Sequence, residues 1–207
     1  MTNRYSDIVP ARHPEKSPRV EPRVSKRKFR LSWIKLALIA MVIIIIPLII
    51  FRSNIIKKWE EFNYKRGLEN LSKGNFDKAA GNFEIAASGA NEIDALYKLA
   101  VSKYNQKDFE GAIEAYQKVL EKNPQYSLGY NGLGNLYRDQ KNYDKAEENY
   151  KKAIENDDSF TIAYSNWAIM LIDTGQPEQA KKIVADGLEK NPQSVELSNL
   201  KNILNSK

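Results

Sequence analysis

The sequence predicts an all-α chain: an N-terminal tail, one membrane-spanning helix, and an α-solenoid of about four helix pairs closed by a short C-terminal helix. Three observations carry this prediction. An apolar run occupies residues 31–51, a similar block of residues returns about every 34 positions from residue 60 onward, and Gly or Pro marks several of the junctions between blocks. At 207 residues the chain has room for one domain with appendages.

Residues 1–30 come first. Pro10, Pro14, Pro18 and Pro22 stand four residues apart among Arg12, Arg19 and Arg23. Proline at that density prevents helix, and too few apolar residues are present to offset the entropy of ordering, so a disordered basic tail is expected. Lys26, Arg27, Lys28 and Arg30 directly precede the apolar run, where they suit anionic headgroups.

From Leu36 to Phe51 the chain reads LALIAMVIIIIPLIIF, and extension back through Leu31, Trp33 and Ile34 is broken only by Ser32 and Lys35. About 20 residues at 1.5 Å rise cross a hydrocarbon layer of about 30 Å. Lys35 lies near one end and snorkels; Trp33 and Trp59 suit the two interfacial belts; Pro47 is the expected place for a kink. A buried core helix is a poor rival, because the run is apolar on every face. A cleaved signal peptide also fits less well: the leader and the apolar run are both too long, and Phe51-Arg52-Ser53-Asn54 offers no small-x-small cleavage site. Lys and Arg are more numerous before the run than just after it. The positive-inside rule therefore puts the N-terminus in the cytoplasm and the C-terminal domain on the far side of the plasma (inner) membrane. Residues 52–59 read as a helical connector. No Pro or Gly intervenes before Gly67, so the anchor is expected to flow into the first repeat helix.

Charge narrows the function classes. Residues 1–59 hold 13 Lys/Arg and 3 Asp/Glu, net +10; residues 60–207 hold 19 and 23, net −4. A mildly acidic folded part lacks the basic face that neutralises phosphates, so no nucleic-acid partner is expected. The chain has no cysteine, and its one histidine, His13, lies in the tail. Neither Cys/His zinc spacing nor a His-based triad can be assembled in the folded part. No catalytic residue, metal ligand, cofactor or small-molecule substrate is expected.

The repeated block is best seen in its second half: GNFDKAAGNFEIA from Gly74, KDFEGAIEAYQKV from Lys107, KNYDKAEENYKKA from Lys141 and GQPEQAKKIVADG from Gly175. One slot holds Ala79, Ala112, Ala146 and Ala180; four residues later stand Phe83, Tyr116, Tyr150 and Val184. The first halves read RGLENLSKG from Arg66, LAVSKYNQK from Leu99, LGNLYRDQK from Leu133 and WAIMLIDTG from Trp167. Small residues on the first helix (Gly67, Ala100, Gly134, Ala168) let the second approach closely, the Ala slot is the matching dent, and large residues fill between. One such pair cannot bury its apolar face alone, so the pairs stack. The repeats are placed at 60–92, 93–126, 127–160 and 161–194. Residues 195–207 form a capping end, with Leu197, Leu200, Ile203 and Leu204 on one stripe.

This pattern resembles the tetratricopeptide repeat (TPR) family. The match is closest at Tyr130, Leu133, Gly134, Tyr137, Ala146 and Tyr150, with Asn123-Pro124 and Asn191-Pro192 closing repeats two and four; repeat three has Asp157-Asp158 there and repeat one Asn91. The resemblance implies a concave face, formed by the first helices, that binds a protein or peptide. The positions it places there are Tyr64, Leu68 and Leu71; Tyr97, Val101 and Tyr104; Asn131, Asn135 and Arg138; and Ile162, Ser165, Ile169 and Ile172. Apolar and aromatic positions supply area, and Asn131, Asn135 and Arg138 offer hydrogen bonds to a peptide backbone or carboxylate. The competing role for these residues, Ile169 and Ile172 above all, is inter-repeat core. Changing Tyr97 and Arg138 to Ala is expected to weaken capture while leaving the melting transition nearly intact. Family members that bind chaperone tails carry a two-carboxylate clamp of Lys, Asn, Asn, Lys and Arg. Tyr64 and Leu68 stand where its first Lys and Asn would be, so chaperone-tail binding is not expected.

The adjacent acids Glu60-Glu61, Glu147-Glu148 and Asp157-Asp158 read as solvated charge, not acid/base machinery. Asn70-Leu71-Ser72 matches a glycosylation sequon only by chance. The expected function is that of a membrane-anchored scaffold that supports assembly or recruitment of a membrane-associated complex. The alternative is a targeting receptor whose repeats face the cytoplasm and capture client proteins; opposite topology separates the two.

Overall fold

The structure is a computed structural model and describes residues 26–89 and 92–206. Among these residues it is entirely helical: α1 (Lys26–Ser72), α2 (Phe76–Ala86), α3 (Glu92–Asn105), α4 (Phe109–Lys122), α5 (Ser127–Asp139), α6 (Tyr143–Asn156), α7 (Thr161–Asp173), α8 (Pro177–Lys190) and α9 (Val195–Asn205). Residues 1–25 of the expected tail, and Asn91 in the first inter-repeat turn, lie outside the described residues. Lys26–Arg30, expected as the end of that tail, are instead the start of α1. No proline follows Pro22 until Pro47, so nothing in that stretch opposes helix, and α1 continues through Pro47.

The chain divides into two compact units, the first ending at Ile50. In the first, the large apolar side chains from Trp33 to Ile50 are 42–64 % exposed. The helix is long and apolar enough to cross a membrane, by length and composition, and none of its most apolar stretch is buried.

The second unit, from Phe51 onward, is built of helix hairpins. The C-terminal part of α1 pairs with α2, then α3 with α4, α5 with α6 and α7 with α8; α9 packs on α7 and α8. The small-residue reading of the sequence is realised atom by atom. Ala79, Ala112, Ala146 and Ala180 are fully buried, as are Ala100 and Ala168. A Cβ at Gly67 would stand 2.7 Å from the Phe83 ring, and one at Gly134 2.5 Å from the Tyr150 ring. The aromatic slot closes each hairpin, with Phe83, Tyr116, Tyr150 and Val184 all buried. One apolar cluster joins α2–α5 around Phe83, Leu99, Tyr116 and Leu133, and a second joins α6–α9 around Tyr150, Leu171, Val184 and Leu197.

The turn inside each hairpin is the same in all four repeats. Gly74, Lys107, Lys141 and Gly175 have φ of 74°, 66°, 60° and 77°. A left-handed residue ends the first helix and lets the chain reverse. Lysine pays for its Cβ there by about 1–2 kcal/mol, whereas glycine does not. Part of that gain is offset by the greater freedom of glycine in the unfolded chain. Lys107→Gly or Lys141→Gly is therefore expected to stabilise the array by about 0.5 kcal/mol each, read as a rise of about 1–2 °C in the melting temperature. A fall would show that these lysines stabilise the turn by another route. Second helices start on caps where the sequence supplies one: Asp108 accepts from the Gly111 amide at 3.0 Å and Asn142 from the Lys145 amide at 3.3 Å.

Candidate binding surface

The first helices present successive positions of one face, and the structure sorts them into three kinds. Leu68 and Ile162 are open, at 38 % and 47 % exposed. Val101 and Ile169 are half-buried. Tyr64, Leu71 and Tyr97 pack against the first apolar cluster, and Ile172 against the second. Tyr97 sits among aromatic rings, 6.0 Å from Tyr116 and 5.7 Å from Tyr126 between centroids, with the Lys98 ammonium 5.5 Å from its own centroid. Tyr97→Ala would therefore disturb the core and lower the melting transition, which the sequence alone suggests it would leave nearly intact.

The polar positions are already engaged, Tyr64, Tyr104, Ser165 and Asn131 across the seams between repeats and Asn135 and Arg138 within their own hairpin. Tyr64 donates its hydroxyl to Asp94 of the next first helix, and Tyr104 donates to Asp139 of the one after. Ser165, fully buried, donates to Glu196 of α9 at 2.6 Å. Asn166 donates to Asn131 at 3.0 Å, and Asn131 is only 6 % exposed. Asn135 accepts from the Tyr150 hydroxyl at 2.8 Å, and Arg138 pairs with Asp139 at 3.3 Å. Asn131 and Asn135 thus join helices together before any ligand arrives. Of the three hydrogen-bonding positions only Arg138 leaves a charged group at the surface, and that charge is already balanced.

Burial and a neighbouring carboxylate act in the same direction on two of these hydroxyls. Burial first, then the hydrogen bond to Asp94, pushes Tyr64 up to about 12; burial, then Asp139, pushes Tyr104 up to about 12. A phenol whose pKa is raised on folding stabilises the fold while protonated. Its contribution is whole below the ordinary value near 10 and is lost as pH rises toward 12. Alkaline titration should therefore loosen the seams in that window, and Tyr64→Phe with Tyr104→Phe should flatten the fall. The measurement is urea stability at stepped pH. An equally steep decline in the double variant would show that these seams do not set it.

A surface that the sequence did not reveal lies between α6, α7 and α8. A cleft of about 510 Å³ is floored by Ile154, Tyr164, Trp167, Leu171 and Ile183 and rimmed by Glu147, Lys151, Lys182 and Asp186. The indole N–H of Trp167 is buried there without a hydrogen-bond partner. Its slot holds Arg66, Leu99 and Leu133 in the other repeats. The change to the largest side chain was the one available signal. Among the adjacent acids, Glu148 pairs with Lys152 at 2.6 Å and Asp158 with Lys190 at 3.0 Å. Among the described residues there is no group of three or more His, Cys, Asp or Glu side chains placed to hold a metal ion.

Models of the tetratricopeptide repeat match residues 64–127, 97–159 and 137–204. The chain belongs to the tetratricopeptide repeat family. It is 38 % identical over 87 residues to the TPR repeat-containing protein MJ1428 of Methanocaldococcus jannaschii, a match covering 42 % of this chain and 13 % of that protein. Among solved structures it resembles MamA, at 25 % identity and TM-score 0.57, over 65 % of this chain and 79 % of that one. It also resembles the thermophilic TPR protein TTC0263 of Thermus thermophilus, at 20 % identity and TM-score 0.58, over 70 % and 80 %. The first TPR domain of Spaghetti (RPAP3), bound to the HSP90 peptide SRMEEVD, is 22 % identical with TM-score 0.50, over 56 % of this chain and 95 % of that one. These last two likenesses concern the fold alone. The TPR array of this chain is a protein-interaction domain, and an apolar N-terminal helix long enough to span a membrane precedes it.

Proposed function

We propose that this protein is a membrane-anchored adaptor that holds a segment of a partner protein against the concave face of its TPR array. The observation that carries the reading is the division of labour on that face. Tyr64, Asn131 and Ser165 close seams, while Leu68 and Ile162 stand open at opposite ends with no core role to explain them. Exposed aliphatic side chains on a rigid concave scaffold suit an extended or helical segment whose apolar side chains lie along it. Arg138 is balanced by Asp139, and Tyr64 and Leu68 replace the Lys and Asn of a carboxylate clamp, so the face is poor in free cations for a C-terminal carboxylate. In this reading the apolar run at residues 31–51 is the anchor, and the excess of Lys and Arg before it supports repeats on the far side of the membrane from the cytoplasm.

Leu68→Glu and Ile162→Glu test the face without touching the seams. Each is expected to reduce recovery of crosslinked partners from membranes about ten-fold, while helix content and melting stay close to wild type. Unchanged recovery in both, with loss in Trp167→Ala, would move the site to the α6–α8 cleft. Protease accessibility of a C-terminal tag tests the topology. Cleavage before the anchoring membrane is breached is the expected result, and protection until lysis would put the repeats in the cytoplasm.

A further inference from the structure

Each first helix after α1 is covered on one side by the second helix of the preceding hairpin: α3 by α2, α5 by α4 and α7 by α6. Two slots carry that seam. One holds Ala95, Gly129 and Ala163, all buried, and the other, four residues on, holds Leu99, Leu133 and Trp167. A Cβ at Gly129 would stand 3.1 Å from Leu120 of α4, so small residues in the first slot let the covering helix come close. On α1 the same two slots hold Phe62 and Arg66. Ile55 and Trp59 extend that stripe by helical spacing, and Ile55, Trp59 and Phe62 are 52 %, 55 % and 48 % exposed. The Trp59 and Phe62 rings stack at 5.8 Å, and the Arg66 guanidinium lies 5.7 Å from the Phe62 centroid. The inner face of the same helix is already engaged, since Glu60 and Asn63 accept hydrogen bonds from Ser88 and Asn82, each at 3.0 Å. The other end of the array differs. Asn202 of α9 stands in the slot of Gly67, Ala100, Gly134 and Ala168, and both it and Asn205 are exposed. That end is polar, as the terminal face of a solenoid in water ordinarily is, and the stripe on α1 is not.

We infer that the stripe is a docking face for one helix of a partner protein, a helix with small side chains along its contact line and Asp or Glu beside it. The covered slots show that a helix is what this side of a first helix receives. Phe62 is large where Ala95, Gly129 and Ala163 are small, so the bulk of this seam sits on α1 and the facing helix must supply the dents. Lys58 lies one turn from both Ile55 and Phe62. Neither it nor Arg66 has a carboxylate partner among the described residues, whereas Lys65 pairs with Glu61 at 2.7 Å. Two unmatched cations beside an apolar stripe select an acidic partner. A second copy is the poorer occupant. A two-fold contact of the stripe with itself would set Lys58 and Arg66 against like charges, and a head-to-tail contact would bring it the polar α9 end.

The test places a photo-crosslinking amino acid at Ile55 of the full chain in living cells. The expected result is an adduct with another protein whose crosslinked segment, sequenced by mass spectrometry, has Ala, Gly or Ser at helical spacing with acidic residues beside them. Lys58→Glu with Arg66→Glu should cut the adduct about ten-fold while the array melts as before, and exchanging the mapped acidic residues of the partner for Lys should restore it. Leu68→Glu should leave the adduct unchanged, which separates this surface from the concave face. No adduct, an adduct only with lipid or a second copy, a segment without acidic residues, or a yield indifferent to the charge reversal would each overturn the proposal. Loss of the adduct in Leu68→Glu would also overturn it, by assigning the segment to the concave face.

Discussion

Replacing Tyr150 by Ala is expected to cost about 3–5 kcal/mol, the largest effect of any single truncation in the array. Tyr150 is fully buried, fills the dent left by Gly134, and donates its hydroxyl to Asn135 at 2.8 Å. The ring has no small neighbour that can collapse inward, because the facing positions Gly134 and Ala146 are already minimal. Tyr150→Phe keeps the ring and loses the hydroxyl, leaving half-buried Asn135 without its donor at a cost of about 1 kcal/mol. The pair therefore separates packing from hydrogen bonding. At about 2–4 °C per kcal/mol, the Ala variant should melt about 6–20 °C lower. Stacked repeats touch mainly their neighbours, so a weakened third hairpin should also broaden the transition as repeats on either side begin to unfold separately. Urea unfolding followed by circular dichroism decides it. Equal losses in the two variants would mean that the Tyr150 ring does not hold the hairpin together.

That prediction rests on features a reader of the sequence could already locate. Tyr150 stands four residues after the Ala slot and sixteen after Gly134, and every copy of the repeat places a small residue where the ring must go. Packing inside a hairpin is periodic, so periodicity reveals it. The seams between hairpins are different. Tyr64 to Asp94, Asn131 to Asn166 and Ser165 to Glu196 join residues 30, 35 and 31 apart, each with a different pair of side chains. Tyr64, Asn131 and Ser165 share one slot of the repeat, but the residue in it and its partner change from seam to seam, so the sequence marks Asn131 and Ser165 as surface positions when they are in fact buried. Tyr97 was legible as a first-helix residue, but its enclosure by Tyr116 and Tyr126 depends on the angle at which two hairpins meet. The left-handed lysines were closer to hand. Lys107 and Lys141 align with Gly74 and Gly175, and aligned glycines are the signal that a turn needs positive φ.

The apolar run should respond most sharply to charge at its centre. Val42 and Ile45 lie in its middle, are 56 % and 42 % exposed, and touch no core that would be lost on substitution. Arginine at the middle of a spanning helix costs about 2.5–3.5 kcal/mol, so Val42→Arg with Ile45→Arg should cost about 5–7 kcal/mol of insertion. That is more than a thousand-fold shift in partition between membrane and water. The expected outcome is a chain that no longer resists alkaline carbonate extraction, while its repeats, whose core begins beyond Phe51, keep their melting temperature. Leu36→Arg, near the end where Lys35 already stands, should be tolerated, since an arginine there reaches the headgroups. The contrast between centre and end separates a spanning helix from a merely greasy one. A run that docked flat against another protein would lose affinity at any of the three positions, whereas a hydrocarbon layer penalises depth. If the double variant still pellets with carbonate-washed membranes, the basic residues ahead of the run or a tightly bound partner hold the chain there, and the repeats are recruited to the membrane without crossing it.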